Sequence, residues 1–393
     1  MSILATTIDI RPEMIDWAIQ RARLGADAQD SPIIQDAFQW IRQEKKPTLA
    51  KLNNFAKKVM VPFGYLFLDT PPDEPLPIAD FRTFDDKTPP RPSPNLLDTI
   101  YEMQARQDWM RENVLADEVG PVEFVGLLSG KETIENAALK IREFLRLGEE
   151  WVTGCKHRFQ ALRDAADRAG VLVFRDSRVG LGCRKLDPVE FRGFVLVDDY
   201  APLVFVNSND TKTAQLFTLA HELVHLAMGR SGLFNLRNLR SGKEPEEKRC
   251  NAIAAELLVP SKDFLEQWKA APDDEPIRLL AGRFNVSPTV IARRALDHRL
   301  IQRPRFFAFY QREIDDWERR KEEQRENRKD KQITGGPGFY KTLNEHLSPR
   351  FSHAVVEAAR CGELLHSDAY SLIGIGGSTF REFARRIREE QNG

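Results

Sequence analysis

The stretch Leu216-Phe217-Thr218-Leu219-Ala220-His221-Glu222-Leu223-Val224-His225-Leu226-Ala227-Met228 decides how the rest of the chain is read. Its polar side chains, Thr218, His221, Glu222 and His225, recur at helical spacing, so they line one stripe of an otherwise apolar helix. Two imidazoles and a carboxylate among Leu, Val, Phe and Ala are costly to bury unless they are paired or bound to a metal. His221 and His225, four apart, project to the same side and can share one ion. Glu222 sits beside them, placed to take a proton from a water on that ion.

Two histidines leave a tetrahedral site one protein ligand short of the usual three-plus-water arrangement. The next apolar-periodic helix, Glu246–Leu258, stopped by Pro260, offers that ligand. Glu247 and Asn251 share one stripe, so Glu247 is the expected metal ligand. Asn251, one turn on, is expected to hydrogen-bond a ligating histidine from outside. Glu256 lies nine positions from Glu247, half a turn out of phase, and is the alternative ligand. Cys250, as a thiolate, is a third option beside its reading as a small core residue. The ligand set suits Zn2+ and also admits Mn2+ or Fe2+.

Working outward, helical periodicity covers Leu96–Val114, Thr133–Leu147 and Val152–Ala169, the last closed by Gly170. Val171–Phe174 reads as a short strand. Phe194–Val197 and Leu203–Val206 flank the Asp198–Pro202 bend as a hairpin, whose Leu203–Val206 edge is expected to receive an extended peptide. Near the N-terminus, Pro12–Arg23 and Leu49–Val59 are helical, Thr48 capping the second. A Pro-rich linker runs from Pro71 to Phe81. The run Glu313–Lys331 is almost wholly charged in mixed sign and reads as a solvated helix. It ends at Gly335-Gly336-Pro337-Gly338, before a small helical module, Tyr340–Gly393. Four modules follow: 1–75, 76–310, 311–338 and 339–393.

Composition sets the outer limits. Of 393 residues 41% are hydrophobic, enough for a packed core, and 58 Lys+Arg against 59 Asp+Glu exclude a uniformly basic nucleic-acid coat. No apolar run approaches a membrane span. Asp9, Arg11, Glu13 and Asp16 occupy the place of an export signal's apolar stretch, and the 4 cysteines are scattered; both point to the cytoplasm.

Taken with Glu247-x-x-Cys250-Asn251-x-x-Ala254-Ala255-Glu256-Leu257-Leu258-Val259-Pro260, the Phe217–His225 stretch resembles the ImmA/IrrE family of metallo-endopeptidases. Cys250 and Ile253 stand where that family more often has Ala and Phe. Pro12–Ala18, Lys46–Leu49, Val61–Leu68 and Pro77–Thr83 resemble the segment of members that carry an XRE-type, repressor-like helix-turn-helix. The resemblance implies an α+β fold: a mostly helical, zincin-like peptidase domain with a small sheet over the His-Glu-x-x-His helix, flanked by small helical modules. It also implies a protein substrate, a transcriptional repressor or an antitoxin. The competing readings are a non-proteolytic regulator that binds DNA or a partner, and the toxin half of a toxin–antitoxin or phage-defence pair.

DNA binding has two candidate places. Gly25–Trp40 carries Asp27, Asp30 and Asp36 with no Arg or Lys, so the N-terminal module reads as a helical scaffold that has lost base reading. The segment 277–300 also has helix-turn-helix spacing, with Arg293 and Arg294 available to phosphate. Its structural reading, as part of the fold beside the metal helix, is favoured. His157, His298, His346, His353 and His366 are isolated, Gly180–Gly182 reads as a turn, and Tyr200 sits in the hairpin bend.

Overall fold

The computed structural model describes residues 7–24, 30–74, 92–180, 184–229, 232–234, 245–271, 276–328 and 339–392. It divides into two compact units, residues 1–77 with 85–101 and residues 78–84 with 102–393.

The first unit is built on helices α1 (Pro12–Ala22), α2 (Pro32–Ile41) and α3 (Leu49–Lys58), followed by a 3-10 turn at Phe63–Phe67. Met14, Ile15 and Ala18 meet Ile34, Ala37, Trp40, Leu52 and Phe55 in a closed core. Thr48 caps α3 by accepting from the Lys51 N–H, as its position before the periodic run suggests. The stretch Gly25–Trp40 contains a helix that its acidic residues obscure in the sequence. Its Asp36 is ion-paired with Lys51 and Lys45, so this carboxylate is neutralised locally. The Pro-rich linker falls largely outside the described residues.

In the second unit, α4 (Pro94–Ala116) contributes its residues from Glu102 onward, followed by α5 (Ile134–Phe144), α6 (Glu150–Thr153) and α7 (Arg158–Arg168). The single helix expected over Val152–Ala169 is two, because Gly154 follows α6 and residues 155–157 turn the chain before α7 starts. Gly170 closes α7 at φ +92°, a left-handed conformation that favours glycine. Strands β1 (Leu172–Asp176), β2 (Gly193–Leu196) and β3 (Leu203–Asn207) follow, then α8 (Lys212–Ala227), β4 (Gly232–Phe234) and α9 (Pro245–Leu258).

The sheet order is β1-β3-β2-β4, with β1 parallel to β3 and the other pairs antiparallel. β3 is therefore interior, flanked on both sides. The expectation that Leu203–Val206 offers a free edge is wrong, because both rows of its backbone groups are spent on β1 and β2.

Val173, Val195, Val204 and Val206 face the core shared with Leu219, Ala220 and Leu223 of α8. The opposite face carries Phe174, Phe194 and Phe205, with Phe194 and Phe205 stacked at 5.1 Å between ring centroids. Phe174 meets Phe351 edge-on at 5.3 Å. A sheet covered on both faces explains why these strands read as continuous apolar runs rather than alternating ones.

Helices α10 (Ser261–Lys269), α11 (Pro276–Phe284), α12 (Pro288–Asp297) and α13 (Arg303–Arg328) continue the chain, then α14 (Phe339–His346), α15 (Pro349–Cys361), α16 (His366–Ile373) and α17 (Gly377–Asn392). Leu280, Phe284, Val290 and Ile291 place the helix-turn-helix-like segment inside the main core, and Arg294 is buried against Glu256. Arg294 is thus not available to phosphate, and exposed Arg293 pairs with Asp297. The last four helices pack on the sheet unit. Arg163 donates to the carbonyls of Asn344 (3.1 Å) and Leu347, and Arg106 Nε donates to Leu372 O at 2.9 Å. Among the described residues no helix is long and apolar enough to cross a membrane.

Candidate metal centre

Helix α8 starts at Thr211, whose hydroxyl accepts from the Ala214 N–H at 3.3 Å. It is packed on every side, which is why its sequence is apolar nearly all round. Thr218, His221 and Glu222 are completely buried and His225 is 6% exposed, so the polar stripe does face inward.

Helix α9 lies against α8 and brings Glu247 to it from the first turn, where the positive end of the helix dipole favours a carboxylate. His221 Nε2 and His225 Nε2 stand 2.9 Å apart. Glu247 places Oε1 3.1 Å from His225 Nε2 and Oε2 3.5 Å from His221 Nε2. Donors at the usual zinc distances in a tetrahedron are about 3.3 Å apart, so the three present side chains fit a divalent ion. Two imidazole nitrogens facing one another and a carboxylate need a cation between them, whether a proton or a metal.

The electrostatics agree. Burial pushes His221 down to about 4, helped by the charge on His225 and opposed by Glu247. Burial disfavours the charged form of His225 too, but Cys250 and Glu247 outweigh it and carry its pKa well above the ordinary value. Glu247 is held far below the usual carboxylate range because the two imidazoles outweigh its burial. The pocket therefore keeps one positive charge on its rings, the charge that a metal ion would displace. Burial pushes Glu222 up to about 8, and among the described residues neither of its oxygens has a hydrogen-bond partner.

The structure brings together His221, His225 and Glu247, with Glu222 in the same buried stripe. Asn251 lies near enough to His221 to raise its pKa, but the expected hydrogen bond is not formed, and Asn251 Oδ1 has no partner among the described residues. Glu256 goes elsewhere. Its carboxylate accepts from the Ser261 N–H at 2.8 Å and the Ser261 hydroxyl at 2.7 Å, and it pairs with Arg294. Cys250 faces His225 Nδ1 rather than the converging Nε2 atoms, so it stands outside the donor group. Tyr200 lies in a turn held by the Asp198 carboxylate, which accepts from the Tyr200 and Ala201 N–H groups.

Sequence reasoning missed Gly193. A Cβ there would fall 2.5 Å from Thr218 Cγ2, 2.8 Å from Phe205 O and 3.5 Å from Glu222 Oε1. Only glycine lets β2 approach α8 this closely beside the carboxylate. The signal was visible, a glycine opening a short apolar strand, but its partner across the fold was not.

Residues 166–296 match the family model described as the IrrE N-terminal-like domain, of the M78 peptidases. Residues 347–386 match a domain of unknown function. No curated protein matches the chain. The first span covers about a third of the chain. It contains His221, Glu222, His225 and Glu247; neither span reaches residues 12–83, which carry the repressor-like resemblance.

Proposed function

We propose that the chain is a metal-dependent endopeptidase in which His221, His225 and Glu247 hold the ion, zinc before manganese or iron, and Glu222 is the catalytic base. The observation that supports it most is the convergence of three donors from two helices beside a buried carboxylate with no partner among the described residues. A divalent ion bound there would supply Lewis-acid chemistry, polarising a peptide carbonyl and acidifying a water. Glu222 accepts the proton of the attacking water and returns it to the departing amine. Burial raises its proton affinity in the metal-free fold, and a cation bound beside it would favour the ionised form that a base needs. Both histidines act as neutral ligands through Nε2, which places their ring protons on Nδ1.

The substrate we infer is a regulatory protein, a repressor or an antitoxin; this rests on the ImmA/IrrE resemblance alone. Burial of α11 and α12 in the main core, with Arg294 engaged by Glu256, favours a structural role for 277–300 over DNA reading.

The test is Glu222→Gln, assayed for metal content and for cleavage of repressors or antitoxins taken as candidate substrates. The variant is expected to retain a full equivalent of metal and to lose cleavage. Cleavage at the wild-type rate would remove Glu222 as the base, and a wild type free of metal would remove the centre itself.

A further inference from the structure

The contacts that hold His225 from behind are unusual for a metal-binding imidazole. With Nε2 turned toward His221 and Glu247, Nδ1 points away, and the group it meets is the Cys250 thiol, Sγ at 3.9 Å. Cys250 is completely buried on α9, one turn after Glu247. Its Sγ lies in turn 3.6 Å from Met228 Sδ, at the end of α8. Among the described residues the ring proton of a ligating His225 therefore has the thiol as its acceptor, and the thiol's own proton has the thioether beyond it. Ligating histidines ordinarily donate this proton to a carboxylate, a carbonyl or a water, which fixes the tautomer and the ring's direction.

We propose that Cys250 is a positioning residue of the metal centre, accepting the Nδ1 proton of His225 and so aiming Nε2 at the ion. The inference rests on the metal-centre reading above. It gives one helix two duties: α9 supplies a ligand through Glu247 and steadies a ligand of α8 through Cys250. Sulfur's weak, long hydrogen bond suits a site closed to water, where a carboxylate would need a partner of its own.

The test uses the full chain stripped with a chelator, as wild type, Cys250→Ala and Cys250→Ser. Zinc affinity is measured by competition with a chromophoric chelator, and the cobalt-loaded forms are compared by visible absorption. Cys250→Ala is expected to bind zinc about 10–100-fold more weakly and to shift the cobalt bands, whereas Cys250→Ser, which keeps an acceptor, stays within about threefold of wild type. Unfolding midpoints of the metal-free forms separate this from packing, since a void left by sulfur lowers the midpoint without touching affinity. Alanine matching wild type in affinity and spectrum overturns the proposal, as does serine binding as weakly as alanine. A wild type that takes up no cation refutes the metal centre and this inference with it; one equivalent bound equally by all three refutes this inference alone.

Discussion

Glu222 tests the electrostatics of the pocket directly, because its effect on stability has a definite sign and pH window. The ordinary glutamate value is 4.5, and burial lifts it to about 8 in the metal-free fold. Between those limits the folded protein keeps a proton that the unfolded chain releases, so stability falls as pH rises through the window. The displacement corresponds to about 5 kcal/mol when complete, an upper figure since relaxation and neighbouring charges absorb part of it. Glu222→Gln cannot titrate, so its stability relative to wild type should grow by on the order of 3–4 kcal/mol from about pH 5 to about pH 8. The assay is urea denaturation of chelator-treated protein at several pH values across that range, with both variants at equal ionic strength. Added zinc should shrink the gap, because a cation beside the carboxylate favours its ionised form. A difference between the two proteins that stays constant with pH would refute the claim that this carboxyl is buried and protonated without a metal.

Four further outcomes follow from the geometry. Glu247→Ala should lose most of its bound metal, measured by elemental analysis of the purified protein, because two imidazoles then remain. Glu256→Gln should leave metal content unchanged while lowering stability by about 3–5 kcal/mol in denaturant titration, since Arg294 would be left buried and uncompensated. Gly193→Ala should lower stability by about 1–3 kcal/mol or more in the same titration, its methyl colliding with Thr218 and the Phe205 carbonyl. Phe351→Ala should cost about 3–5 kcal/mol by opening a cavity against Phe174 and Trp109, read as a lower thermal midpoint.

What could be read from residues alone follows a physical line. Helix α8, the α9 ligand and the hairpin are local patterns: the spacing of His221, Glu222 and His225 fixes a stripe whatever the rest of the chain does. Glu247 could be preferred to Glu256 from phase, but only packing showed Arg294 and Ser261 engaging Glu256. The place of β3 inside the sheet depends on β1, which reaches it by a parallel pairing with no local signature. The helix at Pro32–Ile41 does carry its apolar residues at helical spacing, with Ile34, Ala37 and Trp40 inward, but sits in a stretch whose acidic residues dominate its reading. Gly154 split a periodic stretch that reads as one helix. Gly193 and the thiol behind His225 are contacts between distant segments, and no spacing rule reports them.

The arrangement of Phe174, Phe194 and Phe205 on the sheet face away from α8 constrains how the protein is made. Their cover includes Phe351 beside Arg106, which reaches Leu372, so a chain ending at residue 296 would leave Phe174 with only part of its cover. Residues 166–296 alone therefore leave part of their sheet face uncovered. A protein truncated before residue 339 is expected to accumulate in inclusion bodies rather than as a stable soluble fragment.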